Sequence, residues 1–527
     1  MAILAAGVGF SIRAGILGDW GGQFGFTQSD LGKITGGGLT GFGIIILLSA
    51  LIADKIGYGR LMIFAFIMHF LSAVVTLAAS PIYNSLHASN PEAAKHAAFL
   101  CLFWGMFLFA IGNGTCEGVV NPLVATLFPK NKTHYLNILH AGWPAGLVSG
   151  GLASYFMVGK ARWEVQLALF LIPVILYGAM CLGQRFPKSE ASAHGVKYLD
   201  MLKELGIAGA LVICLLLALW FKNDLLTSLH LPGWLGFVFA GAIVAAFGAA
   251  TNFKLGSLLL ALLLCGHMLL GYVELGTDSW IGNITGNILA SPANGLLLFV
   301  YTSSLMFILR FCAGPIVHKI SPLGLLFVGA TCGAIGLTCL GNATTGLYVV
   351  LAATIYGIGK TFLWPTMLAV VSERFPKGGA IAIGAMGGVG MLSAGLLGGP
   401  GIGYNQDYYA SQNLKEKAPA VYEQYKSETR NNFLFFPEIQ GLDGTKVKAI
   451  RSMTPDTRTA AETQVHDADL HGGRMALKVT AAIPATLALL YLFIILYFKT
   501  RGGYRQVHIE GSGEGADEVP DKATQAA

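Results

Sequence analysis

Long apolar runs separated by short polar breaks fill most of the chain. Six runs come first, at about 2–20, 31–53, 61–80, 97–126, 135–158 and 164–184. A polar stretch from Gln184 to Glu204 follows, then two runs at about 206–221 and 233–251. Six more lie near 256–281, 294–313, 323–340, 346–371, 379–400 and 476–498. A helix needs about 20 mostly apolar residues to span a bilayer. The pattern therefore predicts an all-α membrane protein of fourteen transmembrane helices, read as six, two and six. Residues 1–186 form the first six-helix bundle, and 187–254 a linker with an inserted two-helix hairpin. Residues 255–400 supply five helices of the second bundle, and 474–499 its last. Between these lies an outer loop, 401–473, partly helical and able to cover the outer mouth; 500–527 is a disordered tail.

Charge sets the orientation, because Lys and Arg favour the cytoplasmic side of short loops. With the N-terminus inside, fifteen Lys and Arg residues fall in inner loops and the start of the tail, among them Lys55, Arg60, Lys130, Lys132, Arg374 and Lys377. Five fall in short outer loops: Lys33, Lys95, Lys160, Arg162 and Lys222. Both termini are then cytoplasmic, in a bacterial-type inner or plasma membrane. Met1 already sits in the first run without a basic flank, so no signal peptide is legible. Either the natural start lies upstream or the helix begins at the inner water interface.

Composition narrows the function. Hydrophobic residues make up 54% of the 527, charged residues 12%, and mean hydropathy is +0.62. Soluble domains carry about 25% charge, so a soluble enzyme and a nucleic-acid binder are excluded, and the net charge of +6 reflects the loop asymmetry. The 69 glycines suit close helix packing in a bilayer. The eight cysteines lie in apolar runs without metal-ligand spacing and read as small hydrophobes. No phosphate-cradling loop ending in Lys-Ser/Thr is present. No nucleophile–base–acid set and no cofactor motif appears either, so the expected partners are the lipid bilayer and a small solute, with the protein a monomer.

The two six-helix halves repeat one another. Gly112-Asn113-Gly114, Asn121-Pro122 and Phe128-Pro129-Lys130 correspond to Gly357-Ile358-Gly359, Trp364-Pro365 and Phe375-Pro376-Lys377. Ala53-Asp54-Lys55-Ile56-Gly57 corresponds to Val317-His318-Lys319-Ile320-Ser321. Repeated halves place a solute site near the bilayer midplane and permit alternating access by rocking.

Asp54-Lys55-Ile56-Gly57-Tyr58-Gly59-Arg60 resembles the loop signature between helices two and three of the major facilitator superfamily. The resemblance implies that Asp54, Lys55, Gly57 and Arg60 form a charge-and-helix-end latch that holds one access state. Glu117-Gly118-Val119-Val120-Asn121-Pro122 is similar to the Glu-x-x-x-Asn-Pro motif of the fucose–galactose–glucose:proton symporter (L-fucose permease-like) family. Leu136-Asn137-Ile138-Leu139-His140 resembles that family's next helix. The likeness implies proton-coupled uptake of a sugar, driven by the proton gradient without a cofactor, and carries sugar binding and proton coupling to Glu117. The family's first-helix Asp falls near Arg13, a departure, because a cation cannot act as a proton-carrying carboxylate.

Four runs carry a charge in mid-span: Arg13, Glu117, Glu274 and Lys360. In the superfamily fold these helix positions line the central cavity. At about 1.5 Å per residue, Arg13, Glu117 and Lys360 lie roughly 16–18 Å from the inner ends of their helices, near the midplane of a ~30 Å core. Burying each costs at least ~2.5–3.5 kcal/mol. The natural pairings are Arg13 with Glu117 and Glu274 with Lys360, broken and remade during a transport cycle. Amides, a second titrating group and aromatic faces suited to a sugar are supplied by Asn121, Asn137, His140, Trp143 and Trp364. Asp19 and Asp278, each near a Trp, are outer-gate candidates. Arg310 reads as structural, and His69 and His267 as packing residues. Two other readings stand beside sugar symport: an organic-anion carrier using Arg13 and Lys360, and a membrane sugar receptor that does not transport.

Overall fold

The computed structural model describes residues 1–509 except Thr27 and Val158. The first bundle contains α1 (Ala2–Gly15), α2 (Leu17–Phe24), α3 (Gln28–Ile56), α4 (Tyr58–His87), α5 (Pro91–Leu127), α6 (Lys132–Met157) and α7 (Trp163–Cys181). A short α8 (Glu190–Ala193) leads to the inserted pair, α9 (Tyr198–Ser228) and α10 (Leu235–Ala250). The second bundle contains α11 (Leu258–Ile288), α12 (Pro292–Arg310), α13 (Ala313–Asn342), α14 (Gly346–Arg374), α15 (Pro376–Lys417) and α18 (Ala460–Thr500). Between its last two helices lie α16 (Pro419–Tyr425) and α17 (Gly444–Ser452).

The starts of these helices are written locally. Asn90 caps α5 by accepting from the Ala93 amide at 3.0 Å, with Pro91 in the first turn, where a missing N–H costs nothing. Thr459 and Glu462 close a capping box on α18. Among the described residues, eleven helices are long and apolar enough to cross a membrane, or twelve with the α1–α2 pair, bent by 45°, taken as one span. Length and hydropathy thus support eleven or twelve of the fourteen predicted spans. Helix α10 has only 16 residues, and the 26-residue α6 falls outside the twelve.

The repeat seen in the sequence is also a repeat of packing. Helix α1 packs on α6 as α11 packs on α15, and α3 packs on α5 as α12 packs on α14. Each half has its own apolar core, one drawn almost wholly from residues before 186 and the other centred on residues after 255. The halves meet along two seams, α3 with α15 and α6 with α12. Helices α11 and α15 each contain a π-turn, Tyr272–Gly276 and Ala394–Gly398, and the two turns cross. A Cβ on Gly276 would lie 2.7 Å from the Gly398 Cα, so the crossing needs glycine.

One segment extends the sequence expectation of a partly helical outer loop, and one departs from the expectation made for it. Residues 401–473 are mostly helical. The 42-residue α15 and the 41-residue α18 run about 60 Å each, twice the hydrocarbon thickness, so their ends stand outside the bilayer as a cap. Leu414, Tyr422, Val447, Ile450, Val465 and Ala468 form its small core. Arg451 grips Asp469 with two bonds of 2.7 and 2.8 Å and donates to Asn283 of α11 at 3.1 Å, keying the cap to the second bundle. The apolar run stops near 400 because hydropathy reports contact with lipid, and the helix continues beyond it with polar residues, Gln406 among them turned toward Asp469 of α18. The tail departs from the expectation of disorder as far as it is described. Tyr504 donates to Glu373 Oε2 at 2.7 Å, the Val507 amide to the Glu373 carbonyl at 2.8 Å, and Gln506 to the Pro129 carbonyl at 2.9 Å. The expected disorder of 510–527 lies outside the described residues.

Candidate functional site

Glu117 and Asn121 stand one turn apart on α5. The Asn121 amide donates to the Glu117 carboxylate at 3.1 Å and to its backbone carbonyl at 3.0 Å. With the amide nitrogen so engaged, Asn121 Oδ1 faces His140 Nε2 of α6 at 2.8 Å, so that nitrogen carries the proton and donates. His140 Nε2 also lies 3.7 Å from Glu117 Oε1. Across the seam, the Trp364 side chain of α14 lies beside the Glu117 carboxyl. His267 of α11 packs against the Trp364 ring, with centroids 4.5 Å apart, and both its ring nitrogens are buried with no hydrogen-bond partner among the described residues. Glu117, Asn121 and His140 are all 5% exposed or less.

The second half holds its charges in pairs. Arg310 of α12 donates to the Thr361 carbonyl at 2.8 Å, to the His140 carbonyl across the seam, and to Glu274 Oε1 at 3.5 Å. Lys360 pairs with Asp278 and lies 5.4 Å from the Tyr356 ring centroid. The expected pairing of Glu274 with Lys360 is therefore incorrect. One turn of α11 separates Glu274 from Asp278, and Lys360 meets the outer of the two. Arg310, read from the sequence as structural, is the inner partner and touches both halves. A cation inside an apolar run was the signal, and its nearness to the second copy of the loop signature obscured it.

The expected pairing of Arg13 with Glu117 is also incorrect. Arg13 points away from the seam between the halves, into the first bundle. Its guanidinium donates to Ser72 Oγ of α4 at 2.6 Å and to the Gly9 carbonyl at 3.3 Å. It lies 4.0 Å from the Phe109 ring and 4.8 Å from the Phe170 ring. Next to it, His69 bonds Asn113 at 2.9 Å and Tyr177 at 2.8 Å, a packing role as the sequence implied. Arg13 thus occupies a dry packing layer and belongs to no shared chamber with Glu117 and Lys360.

The remaining candidates divide. Asn137 donates across the seam to Thr366 Oγ1 at 3.2 Å, one turn inward of His140. Trp143 is half-buried against Phe10. Asp19 is exposed on α2, whereas Asp278 is engaged by Lys360, so the two proposed gate residues are not joined. In the loop signature, Asp54 accepts from Ser192 at 3.2 Å and faces the first turn of α15 at Gly379. Lys55 stacks 3.9 Å from the Tyr198 ring centroid, and Arg60 is exposed. Among the described residues no group of three or more His, Cys, Asp or Glu is placed to hold a metal ion.

The halves are tied together on the inner side. Lys132 bonds Glu190 at 2.6 Å and the Ser372 carbonyl at 3.1 Å. Thr133 donates to Glu373 at 2.7 Å, and the Gly314 amide to His134 at 3.1 Å. Among the described residues, every hydrogen bond identified between the two bundles lies at this inner face or at the central cluster. The inner side is closed.

Two pseudo-equivalent helical bundles around a buried polar centre are the architecture of a membrane transporter. The sequence profile of the Major Facilitator Superfamily matches residues 1–399, and the chain belongs to that superfamily. Among proteins of curated function none matches it. Its fold is similar to that of the proton:xylose symporter XylE bound to 6-bromo-6-deoxy-D-glucose, with a TM-score of 0.60 and 14% identity over 93% of both chains. It is similar also to the superfamily transporter FucP in the outward conformation, with a TM-score of 0.56 and 13% identity over 93% of this chain and 96% of that one. The human organic anion transporter MFSD10 shares the fold at a TM-score of 0.53 and 12% identity, over 93% and 97%.

Proposed function

We propose that the protein carries an uncharged polar solute, a sugar by preference, together with a proton that resides on the Glu117–His140 pair. One observation supports this above all. Among the described residues, Glu274 and Asp278 each have a fixed cation within ion-pair distance, whereas Glu117 has the His140 imidazole and the Asn121 amide in contact and meets the Arg310 cation only at longer range. The four paired charges cancel. The centre is then neutral when Glu117 is protonated, and protonation of that one group changes both its charge and its ability to donate a hydrogen bond. A solute hydroxyl meets a donor in one state and an acceptor in the other, which couples solute to proton without a net charge on the solute. Trp143 and Trp364 supply the aromatic faces, and Asn121 and Asn137 the amides.

The organic-anion alternative loses its support in the same geometry. Arg13 faces the packing layer, and Lys360 is neutralised by Asp278. The receptor alternative is addressed by transport itself. Purified protein in proteoliposomes is expected to accumulate a neutral monosaccharide under an inwardly directed proton gradient and to ignore small organic acids. Glu117→Gln is expected to lose gradient-driven accumulation, about tenfold per pH unit for one proton per solute, while solute exchange continues. Accumulation by Glu117→Gln equal to the parent would exclude the proposed proton site, and saturable binding without uptake would favour the receptor.

A further inference from the structure

The loop signature occurs twice on the inner face, and the two copies meet the opposite bundle with different chemistry. The backbone turn is kept. Gly57 ends the first copy at φ 90° and ψ 145°, and Ser321 takes its place in the second at φ 64° and ψ 162°. In the first copy an acid, Asp54, faces the first turn of α15 at Gly379. In the second, His318 stands at the position of Asp54. The bond to the other bundle is made one turn earlier, at Gly314, and its acceptor is His134 of α6.

Gly314 lies in the first turn of α13, where the opening amides of a helix have no acceptor inside it. Its N–H donates to His134 Nδ1 at 3.1 Å, from the second bundle to the first. The approach needs glycine, because a Cβ on Gly314 would lie 2.7 Å from that nitrogen. An amide N–H only donates, so Nδ1 must offer a lone pair, and the proton of the neutral ring sits on Nε2. An imidazolium has no lone pair to offer. Protonation of His134 therefore removes the bond, sets two N–H groups against each other, and puts a positive charge at a helix N-terminus, the end that favours anions. The charged groups around it do not relieve this. His318, within electrostatic range of the ring, and Lys319 follow one turn on along α13. On α6, Lys132 is bound to Glu190. Glu373 of α14 takes Thr133 and Tyr504, and Arg310 of α12 is directed at the His140 carbonyl and Glu274. Lys130 before α6 and Arg505 of the tail are exposed cations.

We propose that His134 and Gly314 form an acid-sensitive catch on the inner side, which holds the two bundles together while His134 is neutral and releases them when the ring takes a proton. The sign follows from the bond. The closed form binds that proton more weakly than the open form, so the catch holds at neutral pH and is lost as the inner pH falls through the range of an ordinary imidazole. A carrier that discharges into the inner compartment is thereby kept inner-open when that compartment turns acid, which slows its return and limits further uptake. The catch depends on alternating access alone and on neither Glu117 nor the nature of the solute.

The test follows inner opening against pH. Ala125 is buried beneath the inner seal. In inside-out vesicles, Ala125→Cys is labelled with an impermeant maleimide, over the background of the parent protein. Rates are divided by those of Lys130→Cys, an exposed inner position, which removes the thiol's own dependence on pH. An unperturbed imidazole titrates at about 6.5, so labelling is expected to rise about fivefold to tenfold from about pH 7.5 to about pH 5.5. His134→Asn keeps an acceptor oxygen and cannot titrate, and is expected to stay closed at both values. His134→Leu offers no acceptor and is expected to label faster than the parent at both. The rise is expected to persist in Glu117→Gln, which separates the catch from the central proton site. A flat parent profile, a rise retained by His134→Asn, or a rise lost in Glu117→Gln would each overturn the proposal. So would a rise abolished by His318→Gln and kept by His134→Asn, which would assign the response to His318.

Discussion

The two bundles descend from one pattern, and they handle buried charge in opposite ways. The second bundle gives each deep cation an acid, Arg310 with Glu274 and Lys360 with Asp278. The first bundle separates its charges. Arg13 is wrapped in Phe109, Phe170 and Ser72 with no acid in contact among the described residues, and Glu117 faces a histidine and the Asn121 amide, with Arg310 farther off. Pairing fixes charge, because the Coulomb attraction within a poorly polarisable interior holds both groups ionised. Leaving an acid among neutral donors keeps it able to change. The second half is thereby suited to act as an electrostatic frame, and the first to carry the switching group.

The comparison breaks first at Arg310. Replacing it by Met leaves Glu274 as a buried acid without its cation and removes bonds to the carbonyls of His140 and Thr361. Loss of one partner of a buried pair costs about 3–5 kcal/mol, so Arg310→Met is expected to lower the melting temperature steeply in detergent. The double variant Arg310→Met/Glu274→Met should recover most of that loss, since a buried pair replaced by apolar residues of similar volume is often close to neutral. A double variant no more stable than the single one would show that the carbonyl contacts, and not the ion pair, make this residue essential.

How much of this was legible in the sequence depends on what each residue touches. Helices, halves and superfamily were readable because lipid imposes runs of about 20 apolar residues and because motifs such as Asp54 to Arg60 are local. Glu117 with Asn121 was readable, being one helical turn on one face. The pairings were not. Depth along a helix is a matter of counting, but rotation about its axis decides which neighbour a side chain meets. Arg13 and Glu117 sit at similar depth and face different seams, and Lys360 reaches Asp278 in preference to Glu274 by a single turn. The outer cap was legible in part, as a loop with some helix, and the length of its helices was not, since a helix that leaves the membrane keeps its shape and loses its hydropathy.

A smaller effect is expected where the bundles touch. On the inner face the first bundle mainly donates, through Lys132, Thr133 and Asn137, and the second accepts, through Ser372, Glu373 and Thr366. Glu373 collects Thr133 and the tail's Tyr504, both as charge-assisted bonds. Such bonds are each worth about 1.5–3 kcal/mol, and Gln keeps the shape while weakening both. Glu373→Gln is therefore expected to move the access equilibrium toward inner opening by about 1–2 kcal/mol, roughly five- to thirtyfold. Labelling of Ala125→Cys from the inner side measures it. No change in that labelling would mean that the tail and Glu373 do not hold the inner side closed.

The smallest effect is expected at Arg13, although the sequence alone makes it the most conspicuous charge in the chain. The residue is 2% exposed, and among the described residues it has no acid in contact and its Nε has no partner. Removing it leaves no counter-charge behind, because Ser72 keeps its own hydroxyl donor and the Gly9 carbonyl lies within a helix. Met has similar length and makes favourable sulfur–aromatic contacts with the two rings now stacked on the guanidinium. Arg13→Met is thus expected to change stability by no more than about 1 kcal/mol and to leave uptake largely intact, in contrast with Glu117→Gln. A well-folded Arg13→Met protein that no longer transports would place Arg13 on the solute path after all, and the division of labour between the two bundles would have to be redrawn.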